Sequence, residues 1–186
     1  MKVKRSIKEV LPIADSFVEK FKPFCEKIEI CGSIRRKKSM VGDIEILCIP
    51  KKIKVPVSPQ YSLFGDDEYT EITDPILMEI IRDYKILRGN LNGGKIVSFE
   101  TPDDIQVDVF TAMPMNYGYI KILRTGSAEY NMSFILPRLK QRGYKMNGFV
   151  FKDGIMVPTP DELDIYKLID SDFHLPEDRG QMSWYY

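Results

Sequence analysis

Two short stretches of the chain alternate between apolar and other residues, and this period of two constrains the fold more than any other feature. The first covers residues 43–49 and is stopped by Pro50, and the second covers residues 105–110. Successive side chains of a β-strand point to opposite faces, so both stretches predict strands with one wholly apolar face. The other face of the two strands carries Asp43, Glu45 and Leu47 in the first and Gln106, Asp108 and Phe110 in the second.

The remaining patterns place helices and short strands around these two stretches. Apolar residues recur at helical spacing over residues 7–21, where Pro12 leaves the start of the helix open. The whole chain predicts an α+β fold, in which residues 1–111 form a small mixed sheet with helices on one side and residues 112–186 form a smaller α/β lobe. The other predicted elements are a strand at 28–31, a long surface connection at 50–74, a short helix at 76–81, a hairpin at 86–99 with its turn at 92–94, a short strand at 119–123, a helix from Gly126-Ser127 to about Arg142 that Gly143 closes, a hairpin at 150–157, a helix at 160–169 and an aromatic chain end at 184–186 that packs on the second lobe.

Composition restricts the class of protein. With 186 residues, 44% of them hydrophobic and 29% charged, the chain can bury a core, and no apolar run approaches the ~18–20 residues of a membrane span. Its basic start leads into polar residues rather than a signal sequence, so we expect a cytoplasmic protein, monomeric and without a membrane partner. The three cysteines form no CxxC pair and lie far from His174, which predicts buried thiols and a structural histidine rather than zinc ligands.

Charge is distributed unevenly although the net charge is zero. Residues 1–60 hold 14 Lys and Arg against 7 Asp and Glu, residues 61–120 hold 4 against 11, and residues 121–145 hold six against one. Two basic segments around an acidic one are expected where carboxylates lie between surfaces that hold phosphate. A patchwork of solvated faces would give the same pattern, so charge alone leaves both interpretations open.

Three acids lie on the predicted strands. Asp43 and Glu45 point the same way with Cα atoms ~6.5–7 Å apart, close enough to share one divalent cation, and Asp108 is an isolated acid between apolar residues. Acids on otherwise apolar sheet faces are costly unless a cation neutralises them. We predict that Asp43, Glu45 and Asp108 are catalytic ligands of two Mg²⁺ ions, which Mn²⁺ could replace, in an in-line displacement at phosphorus. For each acid singly, an exposed strand face remains the alternative.

A candidate phosphate-binding segment precedes the first acidic strand. It starts with Gly32, which lets a ligand approach the backbone, and Ser33, which supplies a hydroxyl group. A dense run of cations follows, and together with the acid pair this segment indicates nucleotidyl transfer. A solvated basic turn is the alternative for the cations taken alone, which are Arg35, Arg36, Lys37 and Lys38.

The motifs also occur in a characteristic order. They are Gly32-Ser33, Arg35-Arg36, Gly42-Asp43-Ile44-Glu45, Val107-Asp108-Val109, Thr125-Gly126-Ser127 and Pro176-Glu177-Asp178-Arg179. In this order and spacing the chain resembles the family X DNA polymerases of the DNA polymerase beta superfamily. The resemblance spans roughly residues 28–180 and is greatest to the short palm-plus-thumb form of virus-encoded members.

The resemblance implies a fold, an activity and roles for individual residues. Residues 1–111 would be a nucleotidyltransferase palm and residues 112–186 a thumb-like nucleotide-selection lobe, which together add dNTPs to the 3′ end of gapped or nicked DNA in repair. The implied nucleotide-binding residues are Gly32, Ser33, Arg36 and Gly42 near the phosphates, Gly126 behind the sugar and Asn131 at the minor-groove edge of the base. The implied DNA contacts are Arg35, Lys37, Lys38, Arg124, Arg138 and Arg142.

Spacing along the second-lobe helix agrees with these roles. Asn131, Arg138 and Arg142 are seven and four residues apart, so a regular helix would place all three on one face. Pro137 lies in the same helix and is expected to kink it because it lacks a backbone donor. The common face would then follow the DNA backbone and the nascent base pair together.

Some features depart from the family pattern. Glu45 stands where these polymerases usually have Asp, and Leu123-Arg124 stands where many have two aromatic residues. Too few residues precede residue 28 for the family's lyase domain, so we expect no lyase step. The alternative function is a nucleotidyltransferase that modifies a small molecule, an RNA end or a protein, and a nucleic-acid-binding module without turnover is a third hypothesis.

Overall fold

The computed structural model describes residues 3–56, 69–92 and 94–179, and its architecture is mixed α+β. We call residues 3–111 the first lobe and residues 112–179 the second lobe. The strands of the first lobe are β1 (Arg5–Ser6), β2 (Cys25–Ile30), β3 (Met40–Val41), β4 (Ile44–Pro50), β5 (Lys52–Pro56), β6 (Tyr69–Thr73), β7 (Lys85–Asn90), β8 (Ile96–Glu100) and β9 (Gln106–Thr111), and those of the second are β10 (Lys145–Met146), β11 (Val150–Lys152) and β12 (Ile155–Val157).

A five-stranded sheet of order β2-β4-β9-β8-β7 forms the centre of the first lobe. The neighbours β4 and β9 are parallel, and the other pairs of this sheet are antiparallel. In the β4–β9 register Ile44 pairs with Val107 and Glu45 pairs with Asp108. The predicted alternation is confirmed, because Ile44 and Val107 belong to the main apolar cluster whereas Leu47 belongs to a cluster on the other face.

Helices and short 3-10 turns connect the strands. The helix α1 (Ile7–Phe21) covers the main apolar cluster and begins where the Lys8 N–H donates to the Ser6 side chain. Pro12 therefore lies inside this helix and not in its first turn. The further helices are α2 (Gly32–Arg35), α3 (Ile76–Glu79), α4 (Tyr117–Thr125), α5 (Ala128–Tyr130), α6 (Leu136–Gln141) and α7 (Glu162–Ile169).

The second face of the central sheet is also covered. Its apolar cluster includes Leu47 and Phe110 from the strands and Tyr117 from the start of α4. The prediction of a mixed sheet with helices is confirmed, but the prediction that helices lie on one side needs correction. Since Leu47 and Phe110 are apolar side chains on the acidic face, a helix from the second lobe packs against them.

The predicted short strand at 119–123 is wrong, because this segment lies inside α4. Buried Tyr119, Ile122 and Thr125 recur every three residues and form one helical face. At Gly118 the backbone of α4 approaches the second-lobe residue Asp161 so closely that a Cβ atom would lie 2.1 Å from the Asp161 carbonyl carbon. Packing between distant segments thus outweighs the local β propensity of this stretch.

The predicted helix from Gly126 to Arg142 is real but irregular. Ser127 caps it, α5 leads into a π-helical segment at Asn131–Ile135, and α6 completes it before Gly143, which has φ of 82°. In the π-helical segment the Leu136 N–H donates to the Asn131 carbonyl. Pro137 follows at once and has no N–H for a regular helix, so the wider turn lies where the α-helical ladder would break.

The remaining predictions concern the connection, the thiols and the chain end. The two ends of the predicted 50–74 connection pair as the antiparallel ribbon β5–β6, while residues 57–68, Gly93 of the predicted turn and the aromatic end at 184–186 lie outside the described residues. Cys25, Cys31 and Cys48 are buried free thiols, as predicted. In the part of the chain that the structure describes, no helix has the length and apolarity needed to cross a membrane.

Candidate active site

The three predicted acids lie together on or directly before two neighbouring inner strands of the central sheet. Glu45 and Asp108 are register partners on the parallel strands β4 and β9, and Asp43 directly precedes β4. Burial and the neighbouring Asp43 raise the pKa of Glu45 to about 7, with a further contribution from Asp108 and with Arg36 and Arg124 opposing it. The three carboxylates are therefore close enough to act on one another electrostatically.

Asp108 is buried, with 6% of its surface exposed, and contacts a side chain from its own strand and one from β7. The Gln106 amide donates to its Oδ1 at 2.8 Å, and an Arg88 nitrogen lies 3.9 Å from its Oδ2. Arg88 also donates to Ser98, the register partner of Asp108 on β8, at 2.9 Å. The sequence analysis missed Arg88, although the hairpin register between β7 and β8 could have indicated it.

Gly32 is the point where the phosphate-binding segment meets the acids. Its φ is 63°, and a Cβ atom there would lie 2.0 Å from Oε2 of Glu45, so only glycine fits. The Cys31 N–H donates to the Glu45 carbonyl at 2.7 Å, which ties the turn to β4. Gly32 was predicted to let a ligand approach the backbone. In the structure, the Glu45 side chain occupies that space.

An open cleft of about 550 Å³ lies beside Asp43, the one of the three acids that lines it. It brings together predicted phosphate-binding residues and others that the sequence analysis did not find. The lining residues are Lys4, Ser33, Arg36, Lys38, Ser39, Met40, Gly42 and Asp43. Lys4 reaches the cleft because β1 pairs with β3, a contact for which the local sequence holds no signal.

Two residues that line this cleft each carry a buried donor whose hydrogen bond is not satisfied within the part of the chain that the structure describes. The Ser33 hydroxyl and the Arg36 Nε are buried and have no hydrogen-bond partner among the described residues. Another Arg36 nitrogen donates to the Thr125 carbonyl, which joins the cleft to the second lobe. Since buried polar atoms are nearly always satisfied in native proteins, these two donors are suited to a polar ligand.

Arg35, a predicted DNA contact, lies instead in the junction between the lobes. Its guanidinium donates to the two carboxylate oxygens of Glu162 at 2.8 and 2.5 Å and to the Thr125 hydroxyl at 2.6 Å. Glu162 is 4% exposed and also accepts from Arg179, which is fully buried. Because a buried carboxylate needs cationic partners, Arg35 is drawn inward, and its predicted contact with DNA stays a prediction.

The other predicted DNA-contacting cations differ in exposure. Lys37 and Lys38 are exposed, and Lys37 pairs with Glu177 at 2.7 Å. Arg142 is exposed and pairs with Asp170 at 3.4 Å. Arg124 and Arg138 are half-buried and stack on Phe110 and Phe134, with the guanidinium carbon 4.0 and 3.8 Å from the ring centroid.

Asn131 is 7% exposed, whereas Arg138 is half-buried and Arg142 is exposed. Its amide donates to the Leu123 carbonyl at 2.9 Å, while its Oδ1 is buried without a partner among the described residues. The Oδ1 atom lies 2.8 Å from the position that a Cβ atom on Gly126 would take. The π-helical segment rotates Asn131 relative to Arg138, so the predicted common face, which assumed a regular helix, needs correction.

Comparison with known proteins adds no assignment. No family model matches this chain, and no curated protein matches it by sequence. The resemblance of the motifs to family X polymerases therefore stays an interpretation of the sequence.

A bound metal ion would need several of these acids as ligands. Across residues 3–56, 69–92 and 94–179, no three His, Cys, Asp or Glu side chains are grouped so that they could hold an ion. Glu45 lies over Gly32 and Asp108 accepts from Gln106, so both carboxylates have other contacts. Their chemistry fits Mg²⁺, which prefers carboxylate oxygens, and burial together with the neighbouring Asp43 raises the pKa of Glu45, so a cation there would favour its ionised form.

Proposed function

We propose that the chain is a metal-dependent nucleotidyltransferase of the family X DNA polymerase type, which adds dNTPs to 3′ ends in short DNA gaps. One observation carries the proposal. Glu45 and Asp108 are paired across two parallel strands, and Asp43 lines a cleft together with Ser33 and Arg36, whose hydroxyl and Nε are buried without a partner among the described residues. Acids next to unsatisfied phosphate donors suit nucleotidyl transfer better than either feature alone.

The cleft residues would bind the triphosphate. The Ser33 hydroxyl and the Arg36 Nε would supply directed donors, and Lys4 and Lys38 of the same lining would supply positive charge. A triphosphate would satisfy both buried donors, whereas water would satisfy them without neutralising the cations. These residues would therefore bind and orient the nucleotide next to Asp43.

The carboxylates would hold the metal ions and act on the primer. Asp43, Glu45 and Asp108 are the proposed ligands, and bound Mg²⁺ would supply charge stabilisation for the entering and leaving oxygens. Gln106 fixes one oxygen of Asp108, and the other is the proposed acceptor for the proton of a primer 3′-hydroxyl group. Catalysis by this chain would consist mainly of positioning and charge stabilisation.

The test is incorporation of labelled dNTP into a one-nucleotide gap with Mg²⁺ and with Mn²⁺. We expect Asp108→Ala and Asp43→Asn to lose on the order of 10²-fold or more in kcat, since each removes a ligand carboxylate. Asp153→Asn is the matched control, because Asp153 lies in the turn between β11 and β12 and asparagine tolerates its φ of 52°. Activity retained in Asp108→Ala would contradict the proposal.

A second candidate function is nucleotidyl transfer to a small molecule, an RNA end or a protein. It is favoured by the inward position of Arg35, which binds Glu162 and so reduces the basic surface available to DNA. It is also favoured by Glu45, which stands where family X polymerases usually have Asp. Titration with gapped DNA at low salt separates the two candidates, because the first requires binding. Nucleotide consumption without DNA binding would favour the second.

A further inference from the structure

Arg124 lies on the acidic face of the central sheet. It belongs to the last turn of α4, and its guanidinium carbon lies 4.0 Å from the centroid of the Phe110 ring. Phe110 follows Asp108 by two residues on β9 and therefore shares its face. Phe110 pairs with Leu47 in the same register that pairs Asp108 with Glu45. Arg124 thus stacks on the sheet directly beside the carboxylate pair.

The surroundings of Arg124 hold its charge in this position. Its Nε is buried without a hydrogen-bond partner among the described residues, and the contact with the Phe110 face fixes the guanidinium plane. A guanidinium does not lose its proton in proteins, so the positive charge persists at every working pH. This charge lies on the same sheet face as the acids, since Phe110 is two residues from Asp108 and its register partner Leu47 is two residues from Glu45.

We propose that Arg124 is a fixed counter-cation of Asp43, Glu45 and Asp108 that lowers their affinity for divalent cations. The proposal rests on the proposed function, because it treats these acids as metal ligands. A single positive charge a few ångströms from a divalent ion in an open cleft weakens binding by roughly tenfold. Arg36 lines the cleft together with Asp43, so a triphosphate bound there would neutralise it. Arg124 stacks on Phe110 and would oppose the metal with or without nucleotide, as would Arg88, which lies 3.9 Å from Asp108.

The experiment measures Mn²⁺ binding to the nucleotide-free protein by electron paramagnetic resonance of free Mn²⁺. Arg124→Met removes the charge and keeps an apolar contact with Phe110, and we expect it to bind Mn²⁺ roughly tenfold more tightly than the wild type. Arg124→Lys keeps the charge and should stay within about threefold of the wild type. Lys152→Met is the matched control, since it removes a charge stacked on the Tyr144 ring in the second lobe and should leave the affinity unchanged.

Each outcome supports or overturns the role of Arg124. Equal Mn²⁺ affinity in the wild type and Arg124→Met overturns it, and so does tighter binding in Lys152→Met of the same size. If Arg124→Met does not give a cooperative thermal transition, Arg124→Gln provides the neutral variant. Asp43→Asn tests the proposed function separately. If this variant still binds Mn²⁺ as the wild type does, the metal lies elsewhere and both proposals lose their basis. If Asp43→Asn abolishes Mn²⁺ binding but Arg124→Met has no effect on it, only the role of Arg124 is overturned.

Discussion

The two lobes contribute to the candidate site by different physical means. In the first lobe, the strand register positions Glu45 beside Asp108, and both strands show their alternation in the sequence. In the second lobe, Glu162 is positioned by Arg35, a residue 127 positions away, and by the buried Arg179. Local rules place the acids of the sheet, whereas the ion network at the junction exists only once the lobes have assembled.

This difference has an energetic side. In the sheet, burial and the neighbouring Asp43 disfavour the ionised form of Glu45, so that Glu45 opposes folding when it is ionised. The junction pairs one buried carboxylate, Glu162, with two guanidinium groups. Burial alone would raise the pKa of Glu162, but Arg35 and Arg179 lower it below its usual value, so the ionised form of Glu162 stabilises the fold. Neutralising Glu45 should therefore stabilise the folded protein, whereas neutralising Glu162 should destabilise it.

The largest effect on the free energy of unfolding is expected at the junction, from Glu162→Ala. This change leaves the fully buried Arg179 and the half-buried Arg35 without their common partner. Breaking a buried ion pair by removing one partner costs about 3–5 kcal/mol, because an uncompensated charge stays buried. We expect the free energy of unfolding in urea at pH 7 to fall by this amount.

Glu177→Ala provides the control for the junction variant. It removes the partner of the exposed Lys37, and exposed ion pairs contribute little to stability. We expect an unchanged urea midpoint for this variant. A similar loss of stability in Glu177→Ala and Glu162→Ala would mean that the buried network is no stronger than a surface pair.

The sheet half of the site was predictable from the sequence because its rule is local. Period two assigns the faces of β4 and β9, and it placed Glu45 and Asp108 on the correct face before their pairing was known. The Gly32–Ser33 turn was predictable for a similar reason, since a glycine before a hydroxyl and a cation run is a local pattern. The contact between the Glu45 side chain and Gly32 could not be predicted, because it joins two separate elements.

The second-lobe half could not be predicted to the same degree. The strand expected at 119–123 is a helix because Gly118 packs against Asp161, which lies outside any local window. The common face of Asn131 and Arg142 assumed a regular helix, and Pro137 was the one local signal of the π-helical segment that rotates them apart. The junction has no local signal, since its residues acquire partners only through the tertiary fold.

The second-largest effect is expected in the sheet, from Glu45→Gln. Burial and Asp43 raise the pKa of Glu45 from its usual 4.5 to about 7, so the folded protein binds this proton more tightly than the unfolded chain. The associated stability is complete below pH 4.5 and is lost as the pH rises through 7. We expect Glu45→Gln to be about 2–3 kcal/mol more stable than the wild type at pH 8, and the difference to vanish near pH 4.

Urea unfolding at pH 4, 6 and 8 in the presence of a chelator measures this dependence. Glu129→Gln is the matched control, because Glu129 is exposed on α5 and should show no such pH-dependent gain. If Glu45→Gln were equally stabilising at pH 4 and pH 8, its effect would come from packing rather than from the concentrated charge of the three acids.

The smallest expected difference in stability is between alanine variants of two glycines, Gly32, where the acidic strand meets the phosphate-binding turn, and Gly154. Both Gly32 and Gly154 have positive φ, of 63° and 81°, so alanine at either position costs about 1–2 kcal/mol in backbone strain. They differ in their surroundings, since a Cβ atom at 32 would lie 2.0 Å from Glu45 Oε2 whereas nothing lies within 4 Å of one at 154. Gly32→Ala should therefore exceed Gly154→Ala by about 1–2 kcal/mol in urea unfolding, because Glu45 must leave its place. The additional Glu45→Gln change should not remove this excess, since glutamine has the same volume. Equal losses in the two glycine variants would mean that Glu45 moves away freely, and the turn would then be independent of the acidic strand.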